Sequence, residues 1–257
     1  LEVADLAAEA LGAIGTAAKD AVEPLLKAIR DDSRAGEYTR KADAAATALG
    51  RIGKPAEPAI PVLIEMLSSE KAQYPAEALG RFGPAAKGAL EPLRKLYPST
   101  APGDAIQAAL AVTRIDPQAT DGIDTLIDRL NSPRTRFPEY ERRDAAKALG
   151  RIGPRAKAAL GPLRKLLDHR TDLSARAALA VYRINPGDAA ALGSLVRTLA
   201  SDDPFGVSAA CEGLAEIGPA AKEAVPELRR VAGFHSGYAE RDAARLAIRA
   251  IDPSQEP

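Results

Sequence analysis

Apolar positions along this chain form a stripe that returns every thirty-odd residues. The segment LGRIG stands at 49–53 and again at 149–153. Variants are LGAIG at 11–15, LGRFG at 79–83, VTRID at 112–116, VYRIN at 181–185, LAEIG at 214–218 and IRAID at 248–252. Taking the fourth residue of each as an anchor gives Ile14, Ile52, Phe82, Ile115, Ile152, Ile184, Ile217 and Ile251, separated by 38, 30, 33, 37, 32, 33 and 34 residues. A period of that size marks an array of repeated supersecondary units. Three positions before each anchor the residue is apolar. Four before, it is Ala in every unit except at Gly213, and seven before, Ala in every unit except at Pro75. These offsets make one face of an amphipathic helix. Its small residues let a neighbouring helix approach, while the Leu and Ile side chains fill the space between.

Each stripe ends in a stop, at Gly15, Gly53, Gly83, Gly153 and Gly218 or at Asp116, Asn185 and Asp252. Gly and Asn suit the left-handed conformation that closes a helix, Asp less readily. Pro84, Pro117, Pro154, Pro186, Pro219 and Pro253 follow at once, where a second helix can start. Eight residues past the anchor lie Val22, Ile60, Leu90, Ile123, Leu160, Leu192 and Val225. Eleven past lie Leu25, Leu63, Leu93, Leu126, Leu163, Leu195 and Leu228. A proline recurs just before that leucine, as Pro24, Pro61, Pro92, Pro162 and Pro226. It implies either a bend or a later helix start. Glycine stops occupy the third, fifth and seventh units and Asp or Asn stops the fourth, sixth and eighth; Phe82 and Ile152 are 70 residues apart and Ile115 and Ile184 69, as a two-unit duplication would leave them.

The stretches ALGRIGPRAKAALGPLRKLL at 148–167 and AEIGPAAKEAVPELRRV at 215–231 resemble the HEAT repeat, in the short bacterial form typified by phycobilin-lyase subunits. The resemblance covers nearly the whole chain. It implies an all-α, right-handed α-solenoid (a superhelix) of about seven antiparallel helix pairs plus a terminal half repeat. First helices would lie on the convex side and second helices would line the concave side. The chain then reads as one HEAT-like domain over 1–257, with repeats near 1–30, 38–69, 70–97, 103–131, 139–168, 172–200, 204–232 and 238–252. Each pair buries its stripe only against its neighbours, giving one continuous core.

Composition narrows the function. Thirty-five Lys+Arg balance thirty-five Asp+Glu, against the basic character of a general polyanion binder. One cysteine makes no internal disulfide and no Cys-based metal cage. No apolar run approaches the roughly 18–20 residues of a membrane span. No signal sequence follows Leu1, so the compartment stays open, the cytoplasm being favoured. Leu1 enters a helical stripe directly, without a polar capping unit, which predicts either further chain upstream or a partner over that face.

Chemistry is sparse, and no catalytic, cofactor-binding or metal-ligating set is expected. His169 and His235 are loop residues two units apart, too far to share an ion. One enzyme branch of the resembled superfamily, the deoxyhypusine hydroxylase type, holds iron with repeated His-Glu pairs, and this chain has no His-Glu dipeptide. Cys211 stands where other units carry Ala and reads as a buried filler. The glycines fall at helix ends, where backbone geometry accounts for them without a phosphate cradle.

Surface signals remain. Twelve and thirteen residues past the anchors lie Leu26-Lys27, Ile64-Glu65, Arg94-Lys95, Ile127-Asp128, Arg164-Lys165, Val196-Arg197 and Arg229-Arg230, eight of them basic and two acidic. Alternation with the buried leucine points these positions away from the core. The ladder then offers a positive face to an acidic partner, or it serves as wet helix ends complementing the macrodipole. The segment 131–143 adds Arg134, Arg136, Phe137 and Tyr140, residue types favoured at interfaces. Tyr38, Phe205 and Tyr238 also stand shortly before first helices, and a local staple over the helix start explains that recurrence. Arg51, Arg81, Arg114, Arg151 and Arg183 sit in last turns, a structural position.

The expected function is a non-catalytic protein-interaction scaffold binding a partner of acidic character along the second helices. Two alternatives are an accessory subunit of a bilin-lyase-like enzyme and a binder of nucleic-acid backbone. Neutrality and the missing Trp weigh against the latter.

Overall fold

The computed structural model describes residues 3–34, 39–234 and 237–254; Leu1, Tyr38 and His235 lie outside them. Among the described residues the secondary structure is helical throughout, without strands. The first helices are α1 (Val3–Ile14), α3 (Arg40–Ile52), α5 (Gln73–Phe82), α7 (Pro102–Ile115), α9 (Pro138–Ile152), α11 (Asp172–Ile184), α13 (Pro204–Ile217) and α15 (Tyr238–Ile251). Between them in chain order come the second helices α2 (Val22–Arg34), α4 (Ile60–Glu65), α6 (Leu90–Arg94), α8 (Asp121–Asn131), α10 (Leu160–Arg164), α12 (Ala189–Thr198) and α14 (Val225–Phe234).

The chain folds as two compact units, Leu1–Leu126 and Ile127–Pro257, the division falling inside α8. In the first unit α1, α3, α5 and α7 pack side by side as one layer, with α2, α4 and α6 against them as a second. In the second unit α9, α11, α13 and α15 form the first layer, and α10, α12 and α14 the second. The sequence stripe supplies both cores. Ala45, Ala48, Leu49 and Ile52 are buried in α3, and Ala145, Ala146, Ala148 and Leu149 in α9. Leu63, Leu93, Leu126, Leu163, Leu195 and Leu228 meet them from the second layer. Ile14 departs from the other anchors and is 56% exposed. In α2 the buried leucine is Leu26, one place later than the period predicts, and Leu25 is only half-buried.

Two kinds of glycine build the repeat. Gly53, Gly83, Gly153 and Gly218 close first helices with φ between 57 and 75° and ψ between −133 and −143°. That region is essentially closed to residues with a Cβ. The Asp and Asn stops do something else. Asp116, Asn185 and Asp252 have φ of −121, −131 and −141°, the two aspartates being extended, so the left-handed closure expected of Asn185 is not formed.

After each glycine the chain makes a 3₁₀ segment, as in Lys54–Ala59 and Gly153–Ala159, before the α-helix begins. Pro61 and Pro226 are therefore the second residue, and Pro24, Pro92 and Pro162 the third, of helices that start late. Their missing N–H groups fall among the first-turn donors that have no intrahelical partner anyway. The proline signal is a delayed start, not a bend.

The other kind, the first glycine of LGRIG, serves close approach. A Cβ on Gly50 would lie 2.7 Å from the Cα of Ala78, and one on Gly150 3.0 Å from that of Ala180. The stems of Arg81 and Arg183 run over the same two glycines. Not every glycine in the motif is a helix terminator, and the recurring arginine is an element of packing between neighbouring first helices.

Candidate functional site

The ladder on the second layer is the first candidate. Lys27, Lys95, Lys165, Arg197, Arg229 and Arg230 are exposed, Arg164 is exposed, and Arg94 is half-buried. The apolar members of the same positions do not point outward as alternation predicted: Leu26 is buried, and Ile64, Ile127 and Val196 are half-buried. Helical geometry places the position after the leucine on the shoulder of the core, where an aliphatic side chain still packs.

Most of the arginines are engaged within their own unit. Arg94 donates to Asp121 at 2.9 and 3.2 Å and to Glu91 at 2.8 Å. Arg164 does the same for Asp188 at 2.5 Å. Asp121 and Asp188 both open the next second helix, so each arginine ties one repeat to the following one. The Arg94 guanidinium, with Tyr97, holds the Asp121 carboxyl below its ordinary range although burial opposes this. At Asp188 burial works against ionisation, but Arg164, the Ala191 N–H and Asn185 outweigh it and the carboxyl is again lowered. Arg197 pairs with Asp168 at 3.6 Å and Arg230 with Glu227 at 2.7 Å. Lys27, Lys95 and Lys165 make no hydrogen bond or ion pair among the described residues.

The segment 131–143 is anchored by a pair that sequence reasoning missed. Arg129 and Glu141, both fully buried, are bonded at 2.8 Å, and the second carboxylate oxygen of Glu141 accepts the Arg134 backbone N–H at 2.7 Å. The Arg134 side chain pairs with Asp128 at 2.7 Å, and Arg136 lies 6.0 Å from the Phe137 ring. The two charges are twelve residues apart, with no motif around them, so only packing reveals the pair.

The expected staple is not formed. Tyr140, Phe205 and Tyr238 are 58, 76 and 80% exposed, and Phe137 is exposed beside Tyr140, edge-on at 6.2 Å. All three helix-start rings point into solvent because the helices begin at or before them, so none stands outside the helix as a staple residue must. Arginines one turn on cover two of them: Arg143 lies 4.8 Å from Tyr140 and Arg241 4.4 Å from Tyr238.

Tyr140 and Phe205 border a cleft of about 600 Å³ across the starts of α9, α11 and α13. Helix α9 contributes Glu139, Tyr140 and Arg143; α11 contributes Asp172, Leu173 and Arg176. Phe205, Ser208 and Glu212 come from α13, and the helix caps Thr171 and Asp203 complete the lining. Asp203 accepts from the N–H groups of Phe205 and Asp172, at 3.1 and 3.0 Å, joining two helix starts through one carboxylate. A second cleft of about 350 Å³ continues down the same helices, sharing Arg176 and Glu212 and adding Lys147, Arg151, Leu179, Arg183 and Glu216.

Other candidates are structural. Cys211 is buried, and burial, with Glu212 and Glu240, pushes its thiol up to about 12. His169 is exposed in the loop after α10. Among the described residues no group of His, Cys, Asp and Glu is placed to hold a metal ion, and no helix is long and apolar enough to cross a membrane.

The architecture defines a class, the all-α helical repeat protein. A family model described as the PBS lyase HEAT-like repeat matches three stretches of the chain, residues 3–31, 42–69 and 141–169. The chain contains HEAT-like repeats, the matched ones being the first, second and fifth of the periodic units. A search of curated proteins gives no match. Stacked repeats of this kind present extended surfaces that such proteins use for binding.

Proposed function

We propose that this chain is a non-catalytic docking scaffold whose second layer binds a protein partner of acidic character. One observation carries the reading. The position thirteen residues past the anchor is an exposed cation in five second-helix segments, at Lys27, Lys95, Lys165, Arg197 and Arg230. In the second unit it is a cation in three consecutive repeats, at Lys165, Arg197 and Arg230, and exposed charge repeated in this way steers and registers an extended partner of opposite sign. The arginines at Arg94 and Arg164 hold neighbouring repeats together and leave the adjacent lysines to the partner. Arg229 adds a cation beside Arg230.

The test is fluorescence anisotropy with a labelled glutamate-rich peptide, in low salt, against a lysine-rich control. The scaffold binds the acidic peptide selectively and loses it as salt is raised. The triple reversal K165E/R197E/R230E weakens binding about tenfold or more. Equal affinity for the two peptides, or full binding by the reversed variant, overturns the reading.

A further inference from the structure

The first layer of the second unit carries a different site. Along α9, α11 and α13 the two clefts of about 600 and 350 Å³ run end to end and share Arg176 and Glu212. Their unmet needs differ. In the upper cleft every carboxylate is occupied. Asp172 is paired with Arg176 at 3.1 Å and Arg143 at 3.6 Å, and Glu212 with Arg176 at 2.6 Å. Glu139 is paired with Arg142 at 3.2 Å, and Asp203 accepts two backbone N–H groups. What remains open there is apolar surface: the exposed Phe205 ring, the part of Tyr140 that Arg143 does not cover, and Leu173 between the helices.

The lower cleft has the opposite surplus. Arg176 is used by Asp172 and Glu212, and Arg183 by Glu216. Lys147 has only Asp144, at 3.9 Å, and Arg151 makes no hydrogen bond or ion pair among the described residues. We propose that this groove docks an extended segment of a partner protein in which apolar residues, seated on Tyr140, Leu173 and Phe205, are followed by acidic residues seated on Lys147 and Arg151. Charge complementarity selects the occupant. The cleft's carboxylates already carry arginine or backbone partners, whereas an acidic segment supplies the counter-charge that two cations lack. Burial first, then Arg176 and Arg143, lower the Lys147 amine below the ordinary lysine value, and a carboxylate seated beside it favours its charged form. Exposed aromatic rings beside a cleft are the usual anchors of such contacts.

The inference is independent of the second-layer reading, and the experiment separates them. The probe is a fluorescein-labelled hexapeptide with a phenylalanine–leucine core followed by two aspartates. Its controls are one peptide with lysines for the aspartates and one with alanines for the core. Wild type binds the probe and neither control. K147E/R151E and F205A each weaken the probe about tenfold, while the second-layer reversal K165E/R197E/R230E leaves it within twofold; circular dichroism melts verify that each variant is folded. A probe bound no better than its controls overturns the site, as does a K147E/R151E variant that binds like wild type. Loss of the probe on the second-layer reversal alone assigns the acidic residues to the other face and also overturns it.

Discussion

Within the second unit, the two layers present opposite lessons about charge. On the second layer the sequence shows a run of cations, and the fold consumes most of the arginines: Arg164 on Asp188, Arg197 on Asp168, Arg230 on Glu227. On the first layer the sequence shows a balanced mixture, and the fold leaves Lys147 and Arg151 short of counter-charge beside exposed rings. A count of charges along the chain therefore ranks the two surfaces differently from a count of unmet partners. The partner of Arg164 is 24 residues away and belongs to the next repeat. Local sequence cannot show it.

The comparison is tested most severely at the anchor of the segment leading into α9. Arg129→Met leaves the fully buried Glu141 carboxylate without its partner, and breaking such a pair costs about 3–5 kcal/mol. Urea unfolding measures the loss, and the Phe-Leu-Asp probe loses affinity with it as Tyr140 shifts beside Glu141. A loss below 1 kcal/mol would mean that the segment is held by something else.

Glycines sharpen the contrast between layers. Gly150→Ala drives a methyl to 3.0 Å from the Cα of Ala180 and overpacks the first layer at about 1–3 kcal/mol. Gly161→Ala, in α10, meets nothing within 4 Å and gains about 0.4–1 kcal/mol by removing backbone freedom from the unfolded chain. Paired thermal melts read both, with opposite signs.

The Arg164–Asp188 tie gives a smaller, pH-dependent effect. Asp188 has its carboxyl lowered in the fold, so its stabilisation is complete above the ordinary carboxylate pKa of about 3.9 and is lost as pH falls through the lower folded value. Asp188→Asn flattens the acid limb of a stability–pH curve and leaves the curve's shape above pH 6 unchanged. An acid limb identical to wild type would show that the tie is too wet to matter. The smallest effect is at Cys211, whose thiol is buried and pushed up to about 12: folded protein at pH 8 takes up no alkylating reagent, and urea-unfolded protein takes up one equivalent.

Much of the fold was legible because its causes are local and repeated. The stripe ending at Ile52 and Ile115, the leucines at Leu63 and Leu126, and the glycine stops each follow from one helix and its immediate neighbours. The finer points escaped for physical reasons. Gly50 and Gly150 look like helix-end residues, yet their role is set by an alanine about thirty residues on. Asn185 is compatible with a left-handed stop in composition, yet its φ is −131°, and the residue type alone does not distinguish the two. The candidate residues of the ladder, and Phe137 and Tyr140 in the segment before α9, were visible as residue types. Lys147 and Leu173 were not, and Arg151 was visible only as a helix-end cation, because a groove between three helices has no signature in the spacing of any one of them.

The glycine-closed corner has a consequence for how such a chain can grow. Gly53, Gly83, Gly153 and Gly218 set nearly the same pair of dihedral angles wherever they occur, so the corner carries its own geometry and asks nothing of its position in the array. A duplicated copy inserted at such a corner arrives with a joint that already fits.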